Sequence, residues 1–401
     1  MRGPRIVYKT GVPVRRSPLL AIFLIVLVDV FGLTLVIPLL APYAEHFGAT
    51  PLQATLLYSS YAACQFFSGP VLGALSDRYG RRPVLLVSQI GTCLGFLLMA
   101  RAESLWMVYV ARVIDGATAG NLTTAQAYIS DNTPPENRAK SFALIGISFG
   151  LGFSIGPWVT GMLVSYGLAA PIYLAAALSF TSILCTTFLL PRGAQAHGRH
   201  SVSLFQRPSY LAYLRRPVLG GLLVQFFCFM FAFSTFNSGF ALFAERRFTW
   251  DGHPFTPREI GYLFAYAGVM GIILQGGLIG RLVKRYGEPI LVTVGFLSMA
   301  SGYFGIGLIH TVPPLIGITA LTALGNATLR PTLSSLITQA AGREEQGAVI
   351  GVNQALGSLA QIAAPAIGGA LIGRGYLTVW ACVASSAAAL GLALAHWGSS
   401  R

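Results

Sequence analysis

Asp29, Arg112, Asp115 and Arg330 each fall inside a long apolar stretch of the chain. An ionised side chain near a bilayer centre costs on the order of 2.5–3.5 kcal/mol on insertion scales. Charges kept in such a place point to a cavity, to a partner of opposite sign, or to the movement of protons or ions. Asp29 lies about midway through its stretch, where a carboxyl can bind and release a proton as its access changes; the alternative is a hydrogen bond to a neighbouring helix that acts as structural glue. Arg112 and Asp115 are three residues apart, which places them on one face of a helix as either an ion pair or a proton relay. Arg330, followed by Pro331, either balances Asp29 or Asp115 across a cavity or holds an anionic substrate.

Other chemistries find little support. There is no nucleotide-binding glycine loop, no pair of histidines at metal spacing and no nucleophile with a base, so neither an enzyme nor a cofactor or metal site is expected. His46, His197, His200, His253, His310 and His396 are loop or end residues. Cys64, Cys93, Cys185, Cys228 and Cys382 all lie in apolar stretches without paired spacing, which suits small core residues better than disulfides or metal ligands.

The elements that must position the charges are membrane helices. The 401 residues are 54% hydrophobic and 10% charged, and apolar runs of about 20 residues, enough to cross roughly 30 Å of hydrocarbon, recur along nearly the whole length. A backbone in lipid satisfies its own hydrogen bonds, so runs of this length are helices and the fold class is an all-α membrane protein. The spans run approximately 18–41, 52–75, 83–101, 105–130, 140–165 and 169–190, then 217–243, 258–281, 289–309, 314–339, 347–372 and 376–397. Residues 1–190 and 217–401 thus form two six-helix halves, joined by a polar linker over 191–216 that is rich in Gly, Pro, His and Arg. Arg2, Arg5, Lys9, Arg15 and Arg16 precede the first span, which lacks a convincing cleavage site and reads as a retained helix.

Lysine and arginine crowd the segments on the side of both termini, while Arg101, Arg246, Arg247, Arg258 and Arg374 fall on the other. The positive-inside rule then makes both termini cytoplasmic. The net charge of +14 belongs mainly to loops facing anionic lipid, and no nucleic-acid partner is expected. The absence of glycosylation sequons on outward loops favours a bacterial inner membrane, and a monomer is the expected state.

The halves echo one another. Gly69, Gly73, Leu75, Arg78, Tyr79 and Gly80 match Gly276, Gly280, Leu282, Arg285, Tyr286 and Gly287 at a constant offset, each set between the second and third spans of its half. Duplicated halves of this kind commonly enclose a site near the bilayer midplane.

The run from Gly73 to Pro83, with Asp77, Arg78, Gly80, Arg81 and Arg82, resembles the signature loop between helices 2 and 3 of the major facilitator superfamily. The resemblance implies twelve helices, alternating access and a gate in which Asp77 meets the start of helix 11, around Gly347 to Gly351, when the cytoplasmic side closes. Gly152, Gly156, Pro157 and Gly161 resemble the helix 5 motif of the antiporters of that superfamily, which export; small residues at this spacing also serve ordinary close packing. Pro365, Gly368 and Gly369 form a weaker echo in helix 11. Arg112 matches an arginine that the superfamily often places on helix 4 beside a proton-binding group.

Asp29, Gly32, Pro38 and Pro42, with Tyr61, Gln65, Asp131, Arg138 and the segment Glu345–Gly347, resemble bacterial tetracycline exporters and related drug:proton antiporters. Three polar positions of that pattern depart: Gly95 stands for an acid in helix 3, Gly271 for a histidine in helix 8 and Met299 for an aspartate in helix 9. The fold and antiport class carry over better than tetracycline as substrate. The expected cavity set is Tyr61, Gln65, Asn121, Gln126, Gln225, Asn237, Gln275, Asn326, Arg330, Asn353 and Gln354, with Asp29, Asp115 and Arg112 for proton coupling. Phe226, Phe227, Phe229, Phe231, Phe233 and Phe236 suit either an aromatic substrate or lipid and core packing. The expected function is proton-driven export of small amphiphilic compounds; the competing one is a metabolite importer or uniporter on the same fold.

Overall fold

The computed structural model describes residues 18–133, 135–190, 210–341 and 345–399. In chain order their helices are α1 (Pro18–Val36), α2 (Leu40–His46), α3 (Pro51–Tyr79), α4 (Arg81–Ala100), α5 (Leu105–Ala117), α6 (Asn121–Asn132), α7 (Pro135–Leu163), α8 (Ala170–Leu189), α9 (Tyr210–Leu214), α10 (Pro217–Arg247), α11 (Pro257–Ile273), α12 (Ile279–Tyr286), α13 (Glu288–Leu308), α14 (Val312–Ala340), α15 (Gln346–Gly373) and α16 (Leu377–Ser399). Eight of them, α4, α7, α8, α10, α13, α14, α15 and α16, contain a stretch long and apolar enough to cross a membrane, and the bent pair α1–α2 makes a ninth. The remaining passes, α3, α5–α6 and α11–α12, take the places expected of the second, fourth and eighth spans. They are less apolar because they carry Gln65, Arg112, Asp115, Asn121 and Gln275.

Three expected spans prove to be interrupted, and two of the breaks have a chemical cause in view. The first turns through a 3-10 segment at Ile37–Leu39, bends by 45° and continues to His46, beyond the expected end. Pro38 and Pro42 supply no backbone N–H there, so the ladder is locally lost. The fourth breaks after Ala117, where the Thr118 hydroxyl donates back to the Ile114 carbonyl at 2.8 Å and the Gly120 amide donates to the Thr118 carbonyl at 2.7 Å. The eighth passes through a π-helical turn at Leu274–Leu278 and runs on to Tyr286. Of the linker, 191–209 lies outside the described residues, whereas Tyr210–Leu214 is helical.

The repeat seen in sequence has a backbone counterpart. Gly80 (φ 96°, ψ 154°) and Gly287 (φ 80°, ψ 160°) each end one helix and start the next in the same left-handed conformation, which is open to glycine and strained for other residues. This junction lies at the end of the bundle where Arg78, Arg81, Arg82, Lys284 and Arg285 gather, hereafter the basic end.

Core packing differs along the bundle. At the far end one apolar core joins both halves: Leu35, Leu39, Phe96 and Val108 pack in the same cluster as Phe243, Ile260, Ile372 and Trp380. Toward the basic end the core divides. Among the described residues, Ile22, Ile25, Leu85 and Ile129 form a cluster within the first half, while Leu223, Phe229, Leu333 and Val352 belong to one within the second.

Candidate functional site

Where the shared core gives way to the two separate ones, a cavity of about 220 Å³ opens between the halves. Its wall includes Asp29 from α1, Tyr58, Tyr61 and Gln65 from α3, Thr92 and Phe96 from α4, Arg112 and Asp115 from α5, and Asn121 from α6. The facing wall is formed by Phe233, Ser234, Asn237 and Ser238 from α10, Arg330 from α14, and Gln354 and Gln361 from α15, with Phe149 and Phe153 of α7 between.

Helix geometry explains much of this list. Tyr58, Tyr61 and Gln65 recur at three and four residues and share one face of α3, and the Gln65 side-chain amide donates to the Tyr61 hydroxyl at 3.2 Å. Gln354 and Gln361 are two turns apart on α15. A close crossing fixes α5 against α3: a Cβ on Gly116 would lie 2.6 Å from the Tyr61 carbonyl oxygen, and the Ser68 hydroxyl donates to the Gly116 carbonyl at 2.8 Å. Only glycine permits that approach, and it brings Arg112 and Asp115 to the cavity edge.

Arg112 and Asp115 are both buried, at 3% exposure each, and pair with one another. The Arg112 guanidinium also lies over the ring of Tyr61 at 5.2 Å and near that of Phe96 at 5.9 Å. Gly95 is part of the same arrangement, since a Cβ there would come within 3.2 Å of the Asp115 Cβ. The side chain that α4 lacks at this point makes room for a carboxylate arriving from α5.

Asp29 stands apart from that pair. Its Oδ1 atom is buried and has no hydrogen-bond partner, and the same is true of Gln89 Oε1 and Asn121 Oδ1, which with Ser182 surround it. Ser182, Gln89 and Asn121 direct polar side chains at the carboxyl, yet its Oδ1 atom is left over, an oxygen that a proton on Asp29 or an intervening water satisfies. Gln89 is held in place from behind, its amide donating to Ser182 at 2.7 Å. The glycines of α7 set the position of α1: Cβ atoms on Gly152 and Gly156 would come within 2.6 Å of Val30 Cγ1 and 2.2 Å of Thr34 Oγ1, on the turns adjoining Asp29.

Arg330 stands in the cavity wall with its side chain exposed to the cavity. Among the described residues it makes no ion pair with Asp29 or Asp115, the partners the sequence pointed to first. Its guanidinium lies 5.0 Å from the centroid of the Phe149 ring instead. Phe149 stacks with Phe153 at 6.4 Å and Phe153 meets Phe233 edge-on at 6.4 Å, so an aromatic strip leads from α14 across α7 to α10.

Five residues of the expected cavity set lie elsewhere. Gln126 is half-buried on α6 and Gln225 is buried at 5% exposure on α10. Gln275 is exposed on the π turn, while Asn326 faces Tyr303 within the second half and Asn353 is half-buried on α15 beside the cavity residue Gln354. Polar groups in membrane helices serve helix contacts as readily as cavities, so polarity alone did not separate the two. Of the phenylalanine-rich stretch, Phe233 reaches the cavity, Phe226 and Phe229 are core, and Phe236 stacks on Tyr303 at 4.8 Å. Tyr58, Thr92, Phe149, Phe153, Ser234, Ser238 and Gln361 were not foreseen; helical spacing from Tyr61 and Gln354 would have found Tyr58 and Gln361.

The loop motif organises the basic end within the first half. Arg81 pairs with Asp77 at 2.5 Å and with Asp131 at 2.8 Å, and also donates to Ser76. Arg82 donates to the Thr187 carbonyl at 2.6 Å. Arg78 stacks on Tyr79, and the Arg138 side chain lies outside the described residues. The stretch Gly347 to Gly351, where Asp77 was expected to dock on gate closure, lies in the first turns of α15; Gly351 is exposed there, and the surroundings of Gly347 are outside the described set.

At the far end the halves meet directly. Cβ atoms on Gly261 and Gly161 would come within 2.8 Å and 3.3 Å of one another's Cα, and one on Gly369 would lie 2.0 Å from Thr55 Oγ1. The fifth pass thus crosses the eighth as the eleventh crosses the second, a symmetric pair of contacts. Ser59 donates to the Ile362 carbonyl at 2.7 Å, and Arg246 pairs with Glu45 across the halves.

Comparison with known proteins agrees with this architecture. The family model described as Major Facilitator Superfamily matches residues 22–365 and 255–399. Tetracycline resistance protein, class C, from Escherichia coli is 31% identical over 356 residues, 88% of each chain. Class E from the same organism is 32% identical over 362 residues, 88% of this chain and 87% of that one, and multidrug resistance protein 2 of Bacillus subtilis is 25% identical over 87% of this chain and 88% of its own. Among solved structures, the human organic anion transporter MFSD10 superposes with a TM-score of 0.72 at 24% identity, covering 96% of this chain and 100% of that one. A peptide transporter in complex with alafosfalin superposes with a TM-score of 0.79 at 16% identity over 95% and 94% of the two chains.

Proposed function

The chain belongs to the major facilitator superfamily, and we propose that it is a proton-coupled exporter that expels small amphiphilic compounds by alternating access, with Asp29 as the proton carrier. The observation that carries the reading is the Asp29 carboxyl itself, set in the cavity wall with an oxygen that no protein donor satisfies. Neutral polar neighbours and no cation surround this carboxyl among the described residues, so no fixed positive charge holds it ionised and a proton can take the free oxygen.

The conformation supports the direction of access. The far end is closed by a core common to both halves, while the described residues at the basic end form two separate cores, which supports access to the cavity from the basic side. The positive-inside rule makes that side, with both termini, cytoplasmic. Cargo enters from the cytoplasm, the halves rock, and a proton from the other side displaces it at Asp29. Arg112 and Asp115 neutralise one another beside this point and hold the local field steady, and the Asp77–Arg81–Asp131 cluster keeps its charges paired within the first half while the cytoplasmic side is open. One chain encloses the cavity, which supports a monomeric unit, and the bacterial relatives support an inner-membrane location. The proton gradient is the sole energy source in this reading.

Tetracycline is not proposed as the cargo. Gly95 backs onto Asp115, Gly271 is half-buried in α11, and Met299 is fully buried in the core of the second half, so these three sites offer no polar side chain. The test is accumulation of a fluorescent drug panel in everted vesicles under an imposed pH gradient, wild type against Asp29→Asn. Loss of gradient-driven accumulation in the variant supports the assignment. Transport indifferent to both gradient and substitution would sink it in favour of a uniporter.

A further inference from the structure

Four charged side chains line the cavity, and two of them cancel. Arg112 and Asp115 pair on a single helix. What remains is Asp29 on α1 and Arg330 on α14, one on each half, and among the described residues neither has an ion-pair partner. Two opposite charges left apart in a mostly apolar wall are an unfavourable arrangement that a ligand of matching polarity relieves.

Resting on the export reading above, we infer that the cavity is bipolar and recognises amphiphilic zwitterions, with the cationic group of the ligand at Asp29 and its anionic group at Arg330. A planar apolar body on the ligand lies against Phe149, Phe153 and Phe233, whose rings form a continuous strip from the Arg330 guanidinium to α10 in the same cavity wall. Guanidinium suits the anionic pole because its planar set of donors grips a carboxylate or phosphate at two points while its face remains on the Phe149 ring. A neutral ligand leaves both poles unmatched, and a simple cation leaves Arg330 unmatched.

The inference also accounts for exchange with protons. A cationic group and a proton compete for the same carboxyl of Asp29. The other ionisable groups nearby are the self-neutralised Arg112–Asp115 pair and the Tyr61 hydroxyl. The anionic pole is bound from the opposite half, so a seated zwitterion ties α1 to α14 and a protonated, empty cavity does not.

Three fluorescent quinolones separate the poles: norfloxacin, a zwitterion; its ethyl ester, a cation; and its N-acetyl derivative, an anion. Their dissociation constants are measured with purified full-length protein in detergent, for wild type, Arg330→Ala and Arg330→Lys. Wild type is expected to prefer norfloxacin over the ester by about tenfold, the scale of one charge-assisted contact. Arg330→Ala is expected to abolish that preference while keeping the preference over the N-acetyl compound. Arg330→Lys, which retains the charge, is expected to restore most of it and shows that the loss is not misfolding. Equal affinity of wild type for norfloxacin and ester, or equal weakening of all three ligands by Arg330→Ala, would overturn the inference. Export is read separately, as gradient-driven accumulation of the same compounds in wild-type vesicles. Accumulation without a zwitterion preference leaves the export reading standing and removes this one; a preference in binding without accumulation does the reverse.

Discussion

The two ends of the bundle solve the same packing problem in opposite ways. At the far end, contacts run between the halves: a single apolar core, glycine crossings at Gly161–Gly261 and Gly369–Thr55, and the Glu45–Arg246 pair. At the basic end, the ion pairs among the described residues do not cross between the halves. Asp77, Arg81 and Asp131 belong to the first, while Arg216 at the end of the linker pairs with Glu345 of the second, which also holds the contacts of Glu288 with Ser335 and Gln339. The closed end is held by dispersion and shape and the open end is organised by charge. A gate built from charge can part in water without leaving apolar surface exposed, whereas an apolar gate must stay shut until its surface finds another partner.

If shape holds the far end, a side chain at a crossing breaks it. Gly369→Leu places carbon where Thr55 and the Pro51 carbonyl already lie, and overpacking of this kind costs about 1–3 kcal/mol. The inward-open population is expected to fall roughly 5- to 150-fold, read as lost maleimide labelling of a cysteine placed in the cavity mouth, together with loss of export. Unchanged labelling would show that the crossing is not the gate.

The charged contact at the same end matters less. Glu45→Gln removes a partly exposed pair, for which about 1 kcal/mol and roughly a fivefold shift toward the outward-open state are expected by the same labelling assay. At the basic end, Asp131→Asn should leave that equilibrium where it is, because its partner Arg81 sits in the same half. The effect expected there is on stability, a fall in melting temperature of about 2–4 °C in detergent.

The legibility of the sequence followed a similar division. Spans, basic loops and the close-packed glycines were readable because each rests on a local rule: length against bilayer thickness, charge sidedness, or the room a missing Cβ provides. The break after Ala117 was not readable, since Thr118 and Gly120 are compatible with a continuous helix and their hydrogen bonds decide otherwise. The cavity wall was partly readable. Tyr61, Gln65, Asn121, Asn237, Arg330 and Gln354 line it, but Asn353, one residue from Gln354, does not, and the rotation of α15 that separates them is set by packing against α3 and α10. Phe149 and Phe153 carried no signal, because aromatic residues in a membrane span look alike whether they face lipid, core or cavity.

The smallest effect expected is at Glu345. Arg216 holds its carboxyl below the ordinary carboxylate range through a two-point hydrogen bond. A lowered value means that the contribution of the pair is present at neutral pH and is lost as pH falls through that value. The pair is solvent-exposed, so Glu345→Gln is expected to leave export at neutral pH within about twofold of wild type while removing part of the acid sensitivity of thermal stability.

The central claim is that cargo and proton exchange at Asp29, and proton release on binding measures it directly. Purified protein in weakly buffered detergent is mixed with a cationic or zwitterionic drug over a series of starting pH values, and released protons are followed with an indicator dye. The account expects release of up to roughly one proton per bound molecule from wild type, by linkage, and none from Asp29→Asn. Binding without release in wild type, or equal release from the variant, would contradict it.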